Sequence, residues 1–178
     1  NRDAIPEKPV KLPDVPANQE QAWCSMLDFF GLSPLSTKTF TGVKTDIKLS
    51  ELIGWKMCFC QPYSHQTTKK DFKPDPLNGN AFLIGARRKG ADTLMVAAIG
   101  SDAFVTRLLE SCSQKKQIHN GAYWFHDRDS PSSEYFGFVM DDEIDIRLMS
   151  NTLGSNDSHL RLKWFLSGIH GGKVAGKA

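Results

Sequence analysis

The sequence predicts a mainly β protein: a single-domain antiparallel sheet or sandwich with one or two peripheral helices and an extended Pro-rich N-terminal arm. Three observations carry that expectation. Asn120 to His126 and Tyr135 to Val139 read as two aromatic strands, with Ala122, Trp124 and His126 on one face and Tyr123 and Phe125 on the other, the two-residue repeat of a sheet covered on both sides. Ala81 to Ala86 and Leu94 to Ile99 are compact apolar runs joined by Arg87-Arg-Lys-Gly-Ala-Asp-Thr93, a hairpin of inner strands with a charged tip. After about residue 111 no helical pattern recurs, whereas Leu160, Leu162, Trp164 and Leu166 alternate with His159, Arg161, Lys163 and Phe165.

Residues 1–17 form the arm. Pro6, Pro9, Pro13 and Pro16 lack backbone donors and hold polyproline-like dihedrals, so the segment is either a flexible leader or strapped onto a neighbour; Val10, Leu12 and Val15, idle in solvent, are the argument for docking. Residues 18–178 form one β-rich domain, opened by a helix over 18–31. Asn18 caps it, Glu20 sits in the first turn, Ala22, Trp23, Met26, Leu27 and Phe30 share a face, and Gly31 and Pro34 stop it. Laid on a sheet, each large side chain of that stripe would contribute roughly 1.5–3 kcal/mol when fully buried.

Leu35 to Ser50 reads as a loop with one short strand. Ile53, Trp55, Met57 and Phe59 then alternate with Gly54, Lys56, Cys58 and Cys60 in a strand that ends before Pro62. His65 to Asn80 is a loop whose Asn78-Gly79 turns tightly into the next strand. Asp102 to Ser111 has Phe104, Val105, Leu108 and Leu109 at helical spacing behind Ser101 or Asp102 as cap, with a strand as the competing reading. Lys115-Lys116-Gln117 makes a polar turn into the aromatic strand, Asp141 to Met149 a half-exposed strand, and Gly168, Gly171, Gly172 and Gly176 a flexible tail.

The 178 residues carry 22 basic and 20 acidic side chains. That balance, with basic clusters no larger than Arg87-Arg88-Lys89, argues against nucleic acid as a partner. The longest apolar runs fall far short of the roughly 20 residues of a membrane span. The chain opens at Asn1 without an apolar leader, the start of a processed mature protein or of a trimmed one. Four cysteines and an Asn156-Asp157-Ser158 glycosylation sequon point to secretion. On one strand face, Cys58 and Cys60 would bridge outward to Cys24 and Cys112 rather than to each other, with connectivity open and four reduced thiols as the alternative.

Catalytic constellations are missing: there is no Gly-x-Ser-x-Gly elbow, phosphate-binding glycine loop, His-Glu-x-x-His or Cys-x-x-Cys. His119, Tyr123, His126 and Asp127 are the candidate ligand-binding residues, and a His126 and Asp127 pair is the one candidate for acid–base work. Asp127, Asp129, Asp141 and Asp142 offer oxygen ligands for calcium from loops beside the second aromatic strand, against the plainer reading of a solvated acidic turn. Zinc on Cys58, Cys60 and two histidines is conceivable by ligand type alone.

The order Gly54-Trp55-Lys-Met-Cys58, Ala81-Phe-Leu-Ile-Gly-Ala-Arg87, His119-Asn-Gly-Ala-Tyr-Trp-Phe125, Phe136-Gly-Phe138, Leu160-Arg-Leu-Lys-Trp164 and Gly171-Gly172 resembles a β-rich module of secreted and cell-surface proteins of invertebrates and bacteria, over about residues 52–176. Versions of that module often carry cysteines near the Leu-x-Trp strand and in the final Gly-Gly segment; here Lys163 and Val174-Ala175 stand in those neighbourhoods. The resemblance carries no biochemical activity with it; the chain as a whole reads as a secreted, non-enzymatic binding or adhesion module, with carbohydrate or glycoprotein recognition as its task. Two alternatives stay open: a structural subunit of a larger oligomer strapped by the arm, and a small apolar-ligand carrier or enzyme working near His126.

Overall fold

In this computed structural model, residues 22–30, 39–62, 65–72, 79–88, 90–128, 133–143, 146, 161–166 and 172–175 are described. The arm at 1–17, Asp129 and the Asn156 sequon lie outside them. Among the described residues the strands are β1 (Ala22–Phe30), β2 (Ile47–Lys48), β3 (Trp55–Pro62), β4 (Gly79–Arg88), β5 (Thr93–Leu94), β6 (Val96–Ser101), β7 (Ser113–His119), β8 (Ala122–Arg128), β9 (Glu134–Val139), β10 (Arg161–Phe165) and β11 (Gly172–Ala175), with one α-helix, α1 (Asp102–Glu110), between β6 and β7 and short 3-10 turns at Leu49–Glu51 and Lys69–Phe72. A four-stranded sheet runs β3-β1-β4-β6, a five-stranded sheet runs β11-β10-β9-β8-β7, and β2 pairs with β5. Every pairing among the described residues is antiparallel, and the β7–β8 and β8–β9 connections are too short for a parallel crossover.

The two larger sheets share one core. Phe82, Ile84 and Ala86 of β4 and Val96 and Ala98 of β6 pack in one cluster with Trp124, Phe136, Phe138, Leu162 and Trp164 of the opposite sheet. Because side chains alternate, the other face of each sheet needs its own cover. Leu83, Ala97 and Ile99 meet Ile47, Leu52 and Leu94 on one outer side, while Phe125, Tyr135, Val139 and Phe165 meet Ile146 on the other. The expected aromatic strand is therefore sealed at Trp124 and Phe125, and Tyr123 is half-buried. At the centre of β9, Gly137 admits the neighbouring backbone so closely that a Cβ there would lie 1.9 Å from the Leu162 carbonyl oxygen.

The helix expected after Ser101 is present. Ser101 Oγ accepts the Phe104 N–H at 3.3 Å as an N-cap, and Phe104, Val105 and Leu108 turn into the core.

Four sequence-based expectations are corrected. Residues 22–30 form the inner strand β1, paired on both sides, instead of a helix over 18–31. Every residue of this segment except Ser25 and Asp28 is apolar, so a helical stripe can be drawn through a sequence that also suits a strand covered on both faces. Lys115 to Gln117 lies within β7, and the turn falls at Asn120-Gly121, whose φ values of 47° and 74° suit a two-residue hairpin loop. Asp141 to Glu143 is a turn, not the start of a half-exposed strand. The glycine-rich end is not simply a tail, since Gly172–Ala175 pairs with β10 as an edge strand.

Candidate functional site

The β7–β8 hairpin carries a histidine near each end, and α1 runs beside it. The helix spans nine residues, about 13 Å at 1.5 Å per residue. Its first turn meets His119 and its last turn meets His126.

At the first end, His119 Nε2 accepts the Ser101 N–H at 3.0 Å, and its ring stacks on Phe104 with centroids 4.0 Å apart. The accepting Nε2 puts the ring's proton on Nδ1. Burial, reinforced by the nearby Arg107 guanidinium, holds the His119 pKa below its ordinary value and keeps the ring neutral near pH 7. The turn residue Asn120 donates from Nδ2 to the Phe40 carbonyl at 2.9 Å and the Ile99 carbonyl at 3.1 Å, while its own carbonyl accepts from Gly42 N–H. Asn120 thus stitches the segment at 39–42 to β6. The stitched elements border an open cleft of about 640 Å³ lined by Thr39, Phe40, Thr41, Ser101, His119 and Asn120, with Ala81 and Ile99 adding apolar surface.

At the other end, His126 is fully buried. Its Nδ1 donates to the Leu108 carbonyl at 2.7 Å, with the Ser111 carbonyl 3.3 Å away, and Nε2 faces Glu134 Oε1 at 2.7 Å. Glu134 also meets Lys69 Nζ at 2.5 Å through Oε1 and Arg128 Nη2 at 3.0 Å through Oε2. Burial works to raise the Glu134 pKa, but the hydrogen bonds from Lys69, Arg128 and His126 outweigh it and hold the carboxyl below its usual range. A carboxylate in this setting is ionised and accepts from every side.

The side chains of His126 and Asp127, the one candidate pair for acid–base work, are not brought together. Neighbours on a strand point to opposite faces, so His126 joins the inner face with Trp124 while Asp127 faces outward. There Asp127 accepts from the Tyr135 hydroxyl at 3.3 Å and from the Arg128 N–H at 2.7 Å. Of the carboxylates proposed for calcium, the described ones, Asp127, Asp141 and Asp142, are not brought together. Asp127 pairs with Tyr135 at the far end of the β8–β9 ladder from Asp141 and Asp142, which follow Val139, and Asp142 instead meets Lys116 at 3.3 Å. Of the proposed ligand residues, only His119 lines the cleft; Tyr123 stands beside the outer cluster. Cys60, in β3, and Cys112, just after α1, form no disulfide; the side chains of Cys24 and Cys58 lie outside the described residues.

Sequence reasoning missed Glu134, although a signal existed. Glu134 is in phase with Phe136 and Phe138, so it falls on the inner face, where an acidic group demands a partner. No protein-family model matches this chain, and comparisons with curated proteins and with solved structures find no match either.

Proposed function

We propose that this chain is a non-enzymatic binding module that takes a small polyhydroxylated ligand, such as a sugar unit of a glycan or glycoprotein, in the cleft beside His119. The cleft itself is the observation that carries this reading. Its volume of about 640 Å³ falls in the range of small-molecule sites, and its lining combines one aromatic ring, three hydroxyl residues, an amide and a neutral imidazole. Sugars present that same mixture of apolar faces and hydroxyl groups. The lining residues include no carboxylate, whereas glycoside hydrolysis ordinarily works with a pair of them, so the lining suits holding a sugar rather than cleaving it.

A glycan array followed by saturation-transfer NMR tests the proposal, using the unaltered chain and the T41V and H119Q variants. Losing one ligand hydrogen bond is expected to weaken binding by roughly three- to tenfold. No sugar bound at millimolar concentration, or binding unchanged in both variants, overturns it. The secreted placement suggested by Asn156 is part of the same proposal. Thiol counting on denatured protein from its native source bears on it: four reactive thiols would count against secretion. Assembly through residues 1–17 is the second reading, and a monomeric mass in solution would remove it.

A further inference from the structure

We propose that Cys112, His126 and Glu134 form a three-ligand site for a divalent cation of the zinc class at the C-terminal end of α1. One ligand atom from each residue lies within 4.8 Å of the other two. This cluster is separate from the His119 cleft, and none of its three residues lines that cleft.

The surroundings arrange each donor as a metal ligand needs it. Histidines that bind metals commonly donate their other ring N–H to a carbonyl or carboxylate, which fixes the tautomer and the ring orientation. His126 does so from Nδ1 to Leu108, leaving Nε2 directed at Glu134 Oε1. Arg128 holds Glu134 Oε2, leaving Oε1 as the coordinating oxygen. A cationic group already stands at that oxygen: the Lys69 ammonium, whose side chain is 39% exposed and can leave for solvent. Cys112 is exposed, which gives the ion an entry path and leaves a fourth position open to water.

The donor set chooses the ion. Thiolate, imidazole and carboxylate together suit zinc or cobalt(II), whereas calcium and magnesium favour all-oxygen shells. A tetrahedral zinc ion sets its sulfur, nitrogen and oxygen ligands about 3.3–3.6 Å apart, so the Cys112 sulfur must approach by about 1 Å, which rotation of its exposed side chain can supply, and His126 Nε2 and Glu134 Oε1, which stand 2.7 Å apart, must open by about 0.6 Å to admit the ion between them. On binding, the Cys112 thiol proton leaves to solvent, His126 ligates through an unprotonated Nε2, and the Lys69 ammonium withdraws to solvent.

Cobalt(II) titration of the full chain, stripped with chelator and held in a non-thiol reductant, tests the site. The expected result is one cobalt per chain, with a thiolate-to-cobalt charge-transfer band, intense tetrahedral d–d absorption and displacement by zinc. C112S is expected to abolish the charge-transfer band, and E134Q to weaken binding at least about tenfold. K69M is expected to tighten binding severalfold by removing the competing ammonium, a change that a merely structural cluster would not produce. C60S is expected to bind normally. The proposal is overturned by no charge-transfer band at stoichiometric cobalt, by a band that survives C112S but vanishes in C60S, or by weaker binding in K69M.

Discussion

His119 and His126 occupy the same hairpin and flank the same helix, yet their hydrogen bonds are opposite in sense. His119 sits where α1 begins and accepts a backbone N–H; His126 sits where α1 ends and donates to a backbone carbonyl. A helix exposes donors and partial positive charge at its start, and acceptors and partial negative charge at its end. The polarity of α1 therefore selects a neutral, accepting ring at one end and a donating ring at the other. Residue type alone sets neither role. The difference also separates the two proposals, because the cleft needs an uncharged polar lining, whereas the ion site needs an ionised carboxylate beside a fixed imidazole.

The most damaging change should affect both ends alike. Gly137→Ala drives a Cβ into the Leu162 backbone carbonyl and against the buried Phe125 ring, neither of which has room to yield. A loss of more than about 3 kcal/mol is expected in urea denaturation, at or beyond the top of the usual overpacking range. Next, Glu134→Ala breaks only the His126 end. Removing one partner of a fully buried ion pair costs about 3–5 kcal/mol, but Lys69 and Arg128 are half-exposed and recover solvation, so roughly 2 kcal/mol is expected here. Thermal melting of this variant should leave ligand binding in the His119 cleft intact once the protein is folded.

Asn120→Ala acts on the other end. It deletes two side-chain hydrogen bonds and places alanine at a φ of 47°, which together are expected to cost about 2 kcal/mol. Sugar binding should fall with stability, since the segment at 39–42 loses its stitch, while cobalt binding should stay unchanged.

Acid offers the smallest and most selective contrast. His119 has a lowered pKa in the folded state, so the unfolded chain takes up its proton first. Its contribution to stability is complete above the ordinary value near 6.5 and is lost as pH falls from there towards the folded value. Glu134 is also depressed, so its contribution is complete above about 4.5 and is lost as pH falls further through its folded value. Denaturation curves across pH should therefore show His119→Gln flattening the decline just below neutrality. The decline at stronger acid should be flattened by Glu134→Gln instead.

The local pattern was legible wherever a segment's neighbours in sequence are also its partners. The hairpin of β4 and β6, the strand β10, and α1 with its Ser101 cap all follow from short-range periodicity and capping. The Asn120-Gly121 turn was equally legible, because this dipeptide between alternating runs favours the positive φ values of a tight hairpin, but it was read as the start of a strand. Residues 22–30 were not legible, since a nearly continuous apolar run satisfies both a helix face and a two-sided strand. Only pairing with β3 and β4 decides between them.

Sequence alone determined the mainly β class, the antiparallel character and the aromatic core, because alternation fixes which side chains share a face within each strand. It did not determine which faces meet. Glu134 reaches His126 diagonally across the β8–β9 ladder, Lys69 arrives from a separate turn, and Leu108 comes from the helix. The tertiary structure decided those meetings through strand register and helix placement, and with them which histidine lines a cleft and which holds a carboxylate.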